Sequence, residues 1–236
     1  MKNESPLFIY SMVPVEKTTF KHFFETGPLK SLLENPGQLR NFGWDLTTQE
    51  PARIVKGQYL ELKSAERKLL QVYEDGSFFV RVSAAHDYLA WGVNEGIPQQ
   101  WGRLNTLALI EFSLNFCLLC ARLVEHLEPQ PSEVVLRVEI RNAFFGKSKL
   151  YLTPHSVSSY SFGFGDDSKI APESSMKGHV QVLTERLKSR PQEAAYLLVR
   201  QIFIWFGIRE DMIPYASVEN DVRFIDANKI KQARSF

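Results

Sequence analysis

Along the chain, short stretches in which apolar and polar residues alternate, or in which β-branched and aromatic residues crowd together, read as strands. These are residues 7–13, ended by Pro14; 53–63, where Tyr59, Glu61 and Lys63 alternate with Leu60 and Leu62; 69–73; 77–82; 134–140; 149–152; and 180–183. Glu74-Asp75-Gly76 separates two of them as a tight turn, so residues 53–82 read as an antiparallel meander.

Two longer stretches carry a helical pattern. Residues 105–127 open at Asn105, a favoured N-cap, and stop before Pro129. From Leu107 to Phe116 this stretch is apolar on nearly every side, which predicts a central helix covered by other elements. Polar residues interrupt it too often for a membrane span. Residues 192–206 form the second helix, closed by Gly207. A shorter helix is expected at 29–33, between Gly27-Pro28 and Pro36-Gly37. Residues 84–103 pattern irregularly. Residues 154–178, rich in Ser and Gly, read as one long loop of the kind that often carries function. The tail, 208–236, shows one proline, a polar segment and a short apolar-spaced end.

These elements predict an α+β fold: a mainly antiparallel sheet packed against two long, largely buried helices. A single domain over 1–236 is expected, dividing at most into a β-rich part, 1–100, and a helix-strand-helix part, 101–236.

Composition narrows the classes. Apolar residues make up 44% and charged residues 23%, with a formal net charge of +1, which excludes a disordered chain and removes the basic excess of a strongly phosphate-driven binder. The 17 Phe, 8 Tyr and 4 Trp supply a sizeable core. Cys117 and Cys120, the only cysteines, make no disulfide framework and point to a reducing compartment. The apolar run at 7–13 is too short for a signal peptide or a membrane span, so a cytoplasmic protein without membrane contact is expected.

Four groups of residues could carry chemistry. On a strand, Glu61 and Lys63 project to one side, and with Asp45 they have the make-up of a PD-(D/E)xK-like nuclease, whose carboxylates hold magnesium and activate water. The competing reading is a solvated sheet face, with Asp45 bonded to backbone. Cys117 and Cys120 lie inside an apolar helix, away from the exposed helix N-terminus that a redox pair needs, and read as buried thiols. Glu111, Asn115 and Arg122 form a polar stripe on the first long helix, and Arg200 lies mid-way along the second. A Glu111–Arg200 ion pair between the helices is expected, since unpaired buried charge is costly, with a pocket for an anionic ligand as the alternative. Finally, Tyr160, Phe162, Phe164 and Asp166 lie in the stretch 158–167, whose aromatics could dock into a partner, stack on bases or fold back as a lid. His22, His86, His126, His155 and His179 have no metal-ligand spacing, no G-x-S-x-G elbow occurs, and no metal or cofactor is implied.

Several segments together carry a resemblance: residues 8–14, Phe42-Gly43-Trp44-Asp45, 59–82, the long helix, 135–145, 170–176 and 196–214. Over roughly four-fifths of its length the chain resembles the region C-terminal to the divergent AlbA (Schlafen-type) domain of bacterial DNA-binding or ATP-binding proteins. The AlbA-like domain is the nucleic-acid-binding part of such proteins and is not expected here, so that role passes to no residue of this chain. The resemblance implies a regulatory, sensing or assembly module in a bacterial nucleic-acid-linked or defence setting.

The combined expectation is a non-enzymatic module that binds a separately encoded protein partner or its own copy, reaching nucleic acid through that partner. The rivals are the magnesium-dependent nuclease and a nucleic-acid binder without catalysis.

Overall fold

The computed structural model describes residues 6–21, 23, 27–41, 43–48, 50–64, 67–84, 88–90, 101–146, 148–152 and 170–233. Strand β1 (Leu7–Pro14) and the short β2 (Thr19–Phe20) precede helix α1 (Pro28–Glu34). The meander follows as β3 (Arg53–Val55), β4 (Tyr59–Ser64), β5 (Lys68–Tyr73) and β6 (Phe78–Ser83), and β7 (Trp101–Leu104) leads into α2 (Thr106–Leu123). Next come β8 (Leu127–Glu128), β9 (Glu133–Arg141), β10 (Phe144–Phe145), β11 (Ser148–Leu152) and β12 (Met176–Leu183). The chain closes with α3 (Thr184–Ser189), α4 (Pro191–Trp205), the hairpin β13 (Ala216–Glu219) and β14 (Val222–Ile225), and α5 (Ala227–Gln232).

Seven strands form one sheet in the order β12-β9-β1-β6-β5-β4-β3, antiparallel at every junction. It takes strands from both sides of residue 100, with β1 hydrogen-bonded between β6 and β9. The alternation seen in the sequence becomes two faces. On one face Phe8, Tyr10 and Met12 of β1 stand in register with Ile140, Val138 and Leu136 of β9 and with Val82, Val80 and Phe78 of β6, all fully buried. Helix α2 covers this face: Phe116 stacks on Phe78 with ring centroids 5.8 Å apart, and the Tyr10 ring lies 5.3 Å from Phe116 and 5.4 Å from Phe112.

Asn105 caps α2 as expected, its side-chain oxygen accepting hydrogen bonds from the Leu107 and Ala108 amides. The α-helix ends at Leu123 and tightens into a 3-10 turn, Val124–His126, so residues 124–127 are not α-helical. Helix α4 matches its expected span to within a residue at each end, but the expectation of two largely buried helices holds only in part. Among the described residues there are five helices; α2 is buried on nearly all sides, whereas α4 leaves Leu197 and Ile204 exposed. Helix α4 also blunts a sheet edge. Its Gln201 side chain accepts from the His179 amide and donates to the His179 carbonyl, both at 2.9 Å, occupying edge groups of β12.

Other expectations need correction. The span 53–63 is not one strand but a hairpin, turning at Lys56 and Gly57, both with positive φ, where the Gln58 amide donates to the Val55 carbonyl. The irregular segment 84–103 contributes β7, which runs parallel to β11 in a three-stranded sheet. The loop expected over 154–178 gives way to β12 at Met176, four residues before the strand expected at Val180. The tail folds as a hairpin and a capped helix, with Asp226 accepting from the Asn228 and Lys229 amides. The expectation that polar residues interrupt helix α2 too often for a membrane span does not hold: by length and composition it is apolar enough to cross one, yet it is buried inside this fold, as the core helix of a globular domain is.

Candidate functional site

The polar stripe on α2 has a structural task. Glu111 does not pair with Arg200; it receives three hydrogen bonds from the Arg40 guanidinium, the shortest 2.6 Å, with both side chains buried. Asn115 donates to the Trp44 carbonyl at 3.1 Å and Arg122 to the Pro36 carbonyl at 2.8 Å. The described residues of the 36–45 segment are thereby strapped along α2. Gly43 lies so close to the helix that a Cβ there would overlap the Glu111 carboxylate. Arg200 instead reaches Glu210 at 2.8 Å on the surface, and Arg223 joins the same carboxylate. The pairing could not be read from the sequence because two helices of one apolar layer suggest each other as partners, whereas Arg40 comes from an irregular segment 71 residues away.

The same strap holds Asp45, and this separates the nuclease candidates. The Lys68 ammonium donates to the Asp45 and Thr47 carbonyls and lies 3.4 Å from the Asp45 carboxylate. Lys68 belongs to the buried face of β5, opposite Val82. Glu61 and Lys63 alternate with the buried Leu60 and Leu62, and so project from the other face of the sheet. The three candidates therefore do not converge. Glu61 is already engaged by Arg53 at 2.8 Å, Lys63 at 3.1 Å and Gln71 at 3.2 Å. Burial alone would raise its carboxyl, but these hydrogen bonds together outweigh burial and hold it below the ordinary value. Among the described residues no cluster of three or more His, Cys, Asp and Glu could hold a metal ion. Cys117 and Cys120 are fully buried, and burial pushes both thiols up. Tyr160, Phe162, Phe164 and Asp166 lie outside the described residues.

Buried groups around the strap set an alkaline response. Burial pushes the Tyr215 hydroxyl up to about 12, and raises Tyr10 and Tyr88 as well. A folded phenol that keeps its proton longer than the unfolded one loses stability as pH rises past 10. Lys68, lowered by burial, has the opposite slope below its ordinary 10.5. The Cys117 and Cys120 thiols, also raised by burial, lose stability as pH rises past their ordinary 9.0, and the Tyr196 hydroxyl is raised too. With two thiols and four phenols against one amine, the urea midpoint is expected to fall from about pH 9, and more steeply between pH 10 and 12. A midpoint that stays level to pH 12 would show these hydroxyls to be solvated.

What remains open is the other face of the seven-stranded sheet. Ser11 and Glu61 excepted, its residues are exposed or half-buried. One row across it runs His179, Arg137, Ser11, Phe79, Gln71, Glu61 and Arg53; the next runs Lys177, Glu139, Ile9, Arg81, Leu69 and Lys63. The cations on this face are Arg53, Lys63, Arg81, Arg137, Arg141 and Lys177, against the carboxylates Glu61, Glu133 and Glu139. The near-neutral chain thus concentrates positive charge here. Glu61 pairs with Arg53 and Lys63, and Glu139 with Arg141 and Lys177. Among the described residues the side chains of Arg81 and Arg137 have no counter-ion. Beside this charge lies an aromatic cluster: the Tyr59 and Tyr73 rings are 5.1 Å apart, and Phe79 meets Tyr73 edge-on at 5.7 Å. The only hint of this surface in the sequence is the second phase of each alternation, which places Phe79 with Arg81 and Arg137 with Glu139 once strand order is known.

The fold and this face define an α+β protein with one open antiparallel sheet. Comparison with protein families, with characterised proteins and with solved structures finds no match to this chain, and so nothing there bears on the resemblance to the AlbA-associated region.

Proposed function

We propose that this protein is a non-enzymatic binding module for nucleic acid, with the open sheet face as its working surface. The observation that carries this reading is the concentration of cations, including Arg81 and Arg137 with no counter-ion among the described residues, on a solvated face that also presents three aromatic rings. Phosphate contacts from such residues supply sequence-independent affinity. The separation of Asp45 from Glu61 and Lys63 across the sheet favours binding without cleavage over the nuclease.

Fluorescence anisotropy with labelled oligonucleotides tests the reading. Affinity is expected to fall steeply as salt rises from 50 to 200 mM. Replacing Arg81 and Arg137 together by glutamate is expected to weaken binding at least tenfold and to flatten the salt dependence. The oligonucleotide is expected to stay intact with added magnesium. Salt-independent binding, or unchanged affinity in the double variant, counts against the proposal.

Binding of a separately encoded protein partner is the second reading. It is favoured by Leu197 and Ile204, seven residues apart on α4 and so on one side of it, which are 39% and 48% exposed.

A further inference from the structure

We infer that the sheet face takes single-stranded nucleic acid in preference to duplex, with bases stacked on Tyr59, Tyr73 and Phe79 and the backbone tracking across Arg81, Arg137 and Lys177. The inference rests on the nucleic-acid reading above and specifies the form of the ligand.

Shape supplies the first argument. A duplex groove admits a helix or a two-stranded ribbon, and a seven-stranded sheet presented face-on enters neither. Against such a face a duplex offers only its phosphate ridges, which leaves the rings without a partner. A single strand offers both chemistries at once, since its bases are free to lie on aromatic faces while its phosphates meet cations.

The layout of the face matches that division. The rings sit on three adjacent strands: Tyr59 on β4, Tyr73 on β5 and Phe79 on β6. Tyr59 and Tyr73 are direct cross-strand neighbours, and Phe79 lies opposite Gln71, one step along the same face of β5. All three rings are only half-buried, so part of each remains available. From Phe79 the charge continues along the sheet. Arg81 follows two residues on in β6, on the same side; Arg137 stands across β1 on β9; and Lys177 lies at the far strand, β12. At about 4.8 Å per neighbouring strand, β4 and β12 are about 24 Å apart, room for a run on the order of four or five nucleotides. Glu139 interrupts the cationic track but is neutralised by Arg141 at 2.9 Å. Gln71, half-buried among the rings and donating to Glu61, is the polar group placed to meet base edges.

Stacking tolerates every base, so preference for strandedness is expected to exceed preference for sequence. DNA and RNA single strands share the chemistry used here, and separate arms distinguish them.

The test measures anisotropy for three labelled probes of equal phosphate count: oligo-dT, oligo-rU and a DNA hairpin duplex. It uses the full chain and the variants Tyr73→Leu, Tyr59→Leu and Phe79→Leu, each checked for an unchanged far-ultraviolet spectrum and melting temperature. A leucine keeps the ring's apolar cover over the strand and removes the stacking surface. At least tenfold tighter binding of one or both single strands than of the duplex is expected. Each ring variant is expected to lose about tenfold for the single strand, with the salt slope and the weak duplex binding left unchanged. That pattern separates stacking from a structural role, which would weaken both ligands. Duplex bound as tightly as single strand, or ring variants bound like the parent, overturns the single-strand inference while the nucleic-acid reading stands. Failure of all three probes, with poly-glutamate bound instead, overturns both.

Discussion

Replacing Glu111 by alanine is expected to lower the melting temperature by roughly 10 °C. The Arg40 guanidinium and the Glu111 carboxylate are 6% and 0% exposed, and bond to each other through three contacts. Removing one member of a buried pair leaves the other charge without its counter-ion and costs about 3–5 kcal/mol. For a chain of this size each kcal/mol is worth about 2–4 °C. The loss spreads because the same pair holds the 36–45 segment against α2, with Gly43 pressed on the carboxylate. Thermal denaturation followed by circular dichroism reads the effect. Replacing Arg40 by methionine and Glu111 by leucine together is expected to recover most of it, since a well-packed apolar pair does without the desolvation cost of the ionic one. A single variant melting within about 2 °C of the parent would mean that water reaches this site.

The second large effect is expected at Phe116. Truncating it to alanine removes a fully buried ring that touches both Tyr10 on β1 and Phe78 on β6, the junction of helix and sheet. Deleting such a ring costs about 3–5 kcal/mol, the spread depending on how far the neighbours collapse into the space. Chemical denaturation should show the urea midpoint falling with little change of slope, because the surface exposed on unfolding is nearly unchanged. The Tyr10 hydroxyl, bonded to Ser113 at 2.9 Å, limits the collapse by fixing β1 to α2 beside the cavity. Leucine at 116 is expected to cost less than alanine.

Both effects arise in the core, whereas the proposed function lies on the opposite side of the same sheet. That arrangement lets the open face carry Arg81 and Arg137, which have no counter-ion among the described residues, at little cost, since solvent screens exposed charge. Substitutions on the face are therefore expected to change binding and to leave stability nearly untouched, which makes the binding tests interpretable.

The elements with a strong local signal could be read from the chain alone. Asn105 and the apolar run after it specify α2, Gly207 ends α4, and the alternation within 77–82 and 134–140 specifies β6 and β9. These signals act between residues a few positions apart, so neighbouring residues are enough to express them. Elements whose stability comes from a partner were missed: β7 needs β11 for its parallel ladder, and the Lys56-Gly57 turn lacks the usual Asn-Gly or Asp-Gly signature.

The candidate site divides along the same line. Periodicity alone showed that Glu61 and Lys63 share a strand face and that Glu111, Asn115 and Arg122 share a helix face. Only the tertiary structure decided that Asp45 lies across the sheet from Glu61, that Glu111 takes Arg40 and not Arg200, and that Phe79, Arg81, Arg137 and Lys177 share one open surface. The physical reason is range. Periods of 2 and 3.6 are properties of a few consecutive residues, while pairing and strand order are set by burying apolar area from distant segments together, a collective quantity that no local stretch encodes.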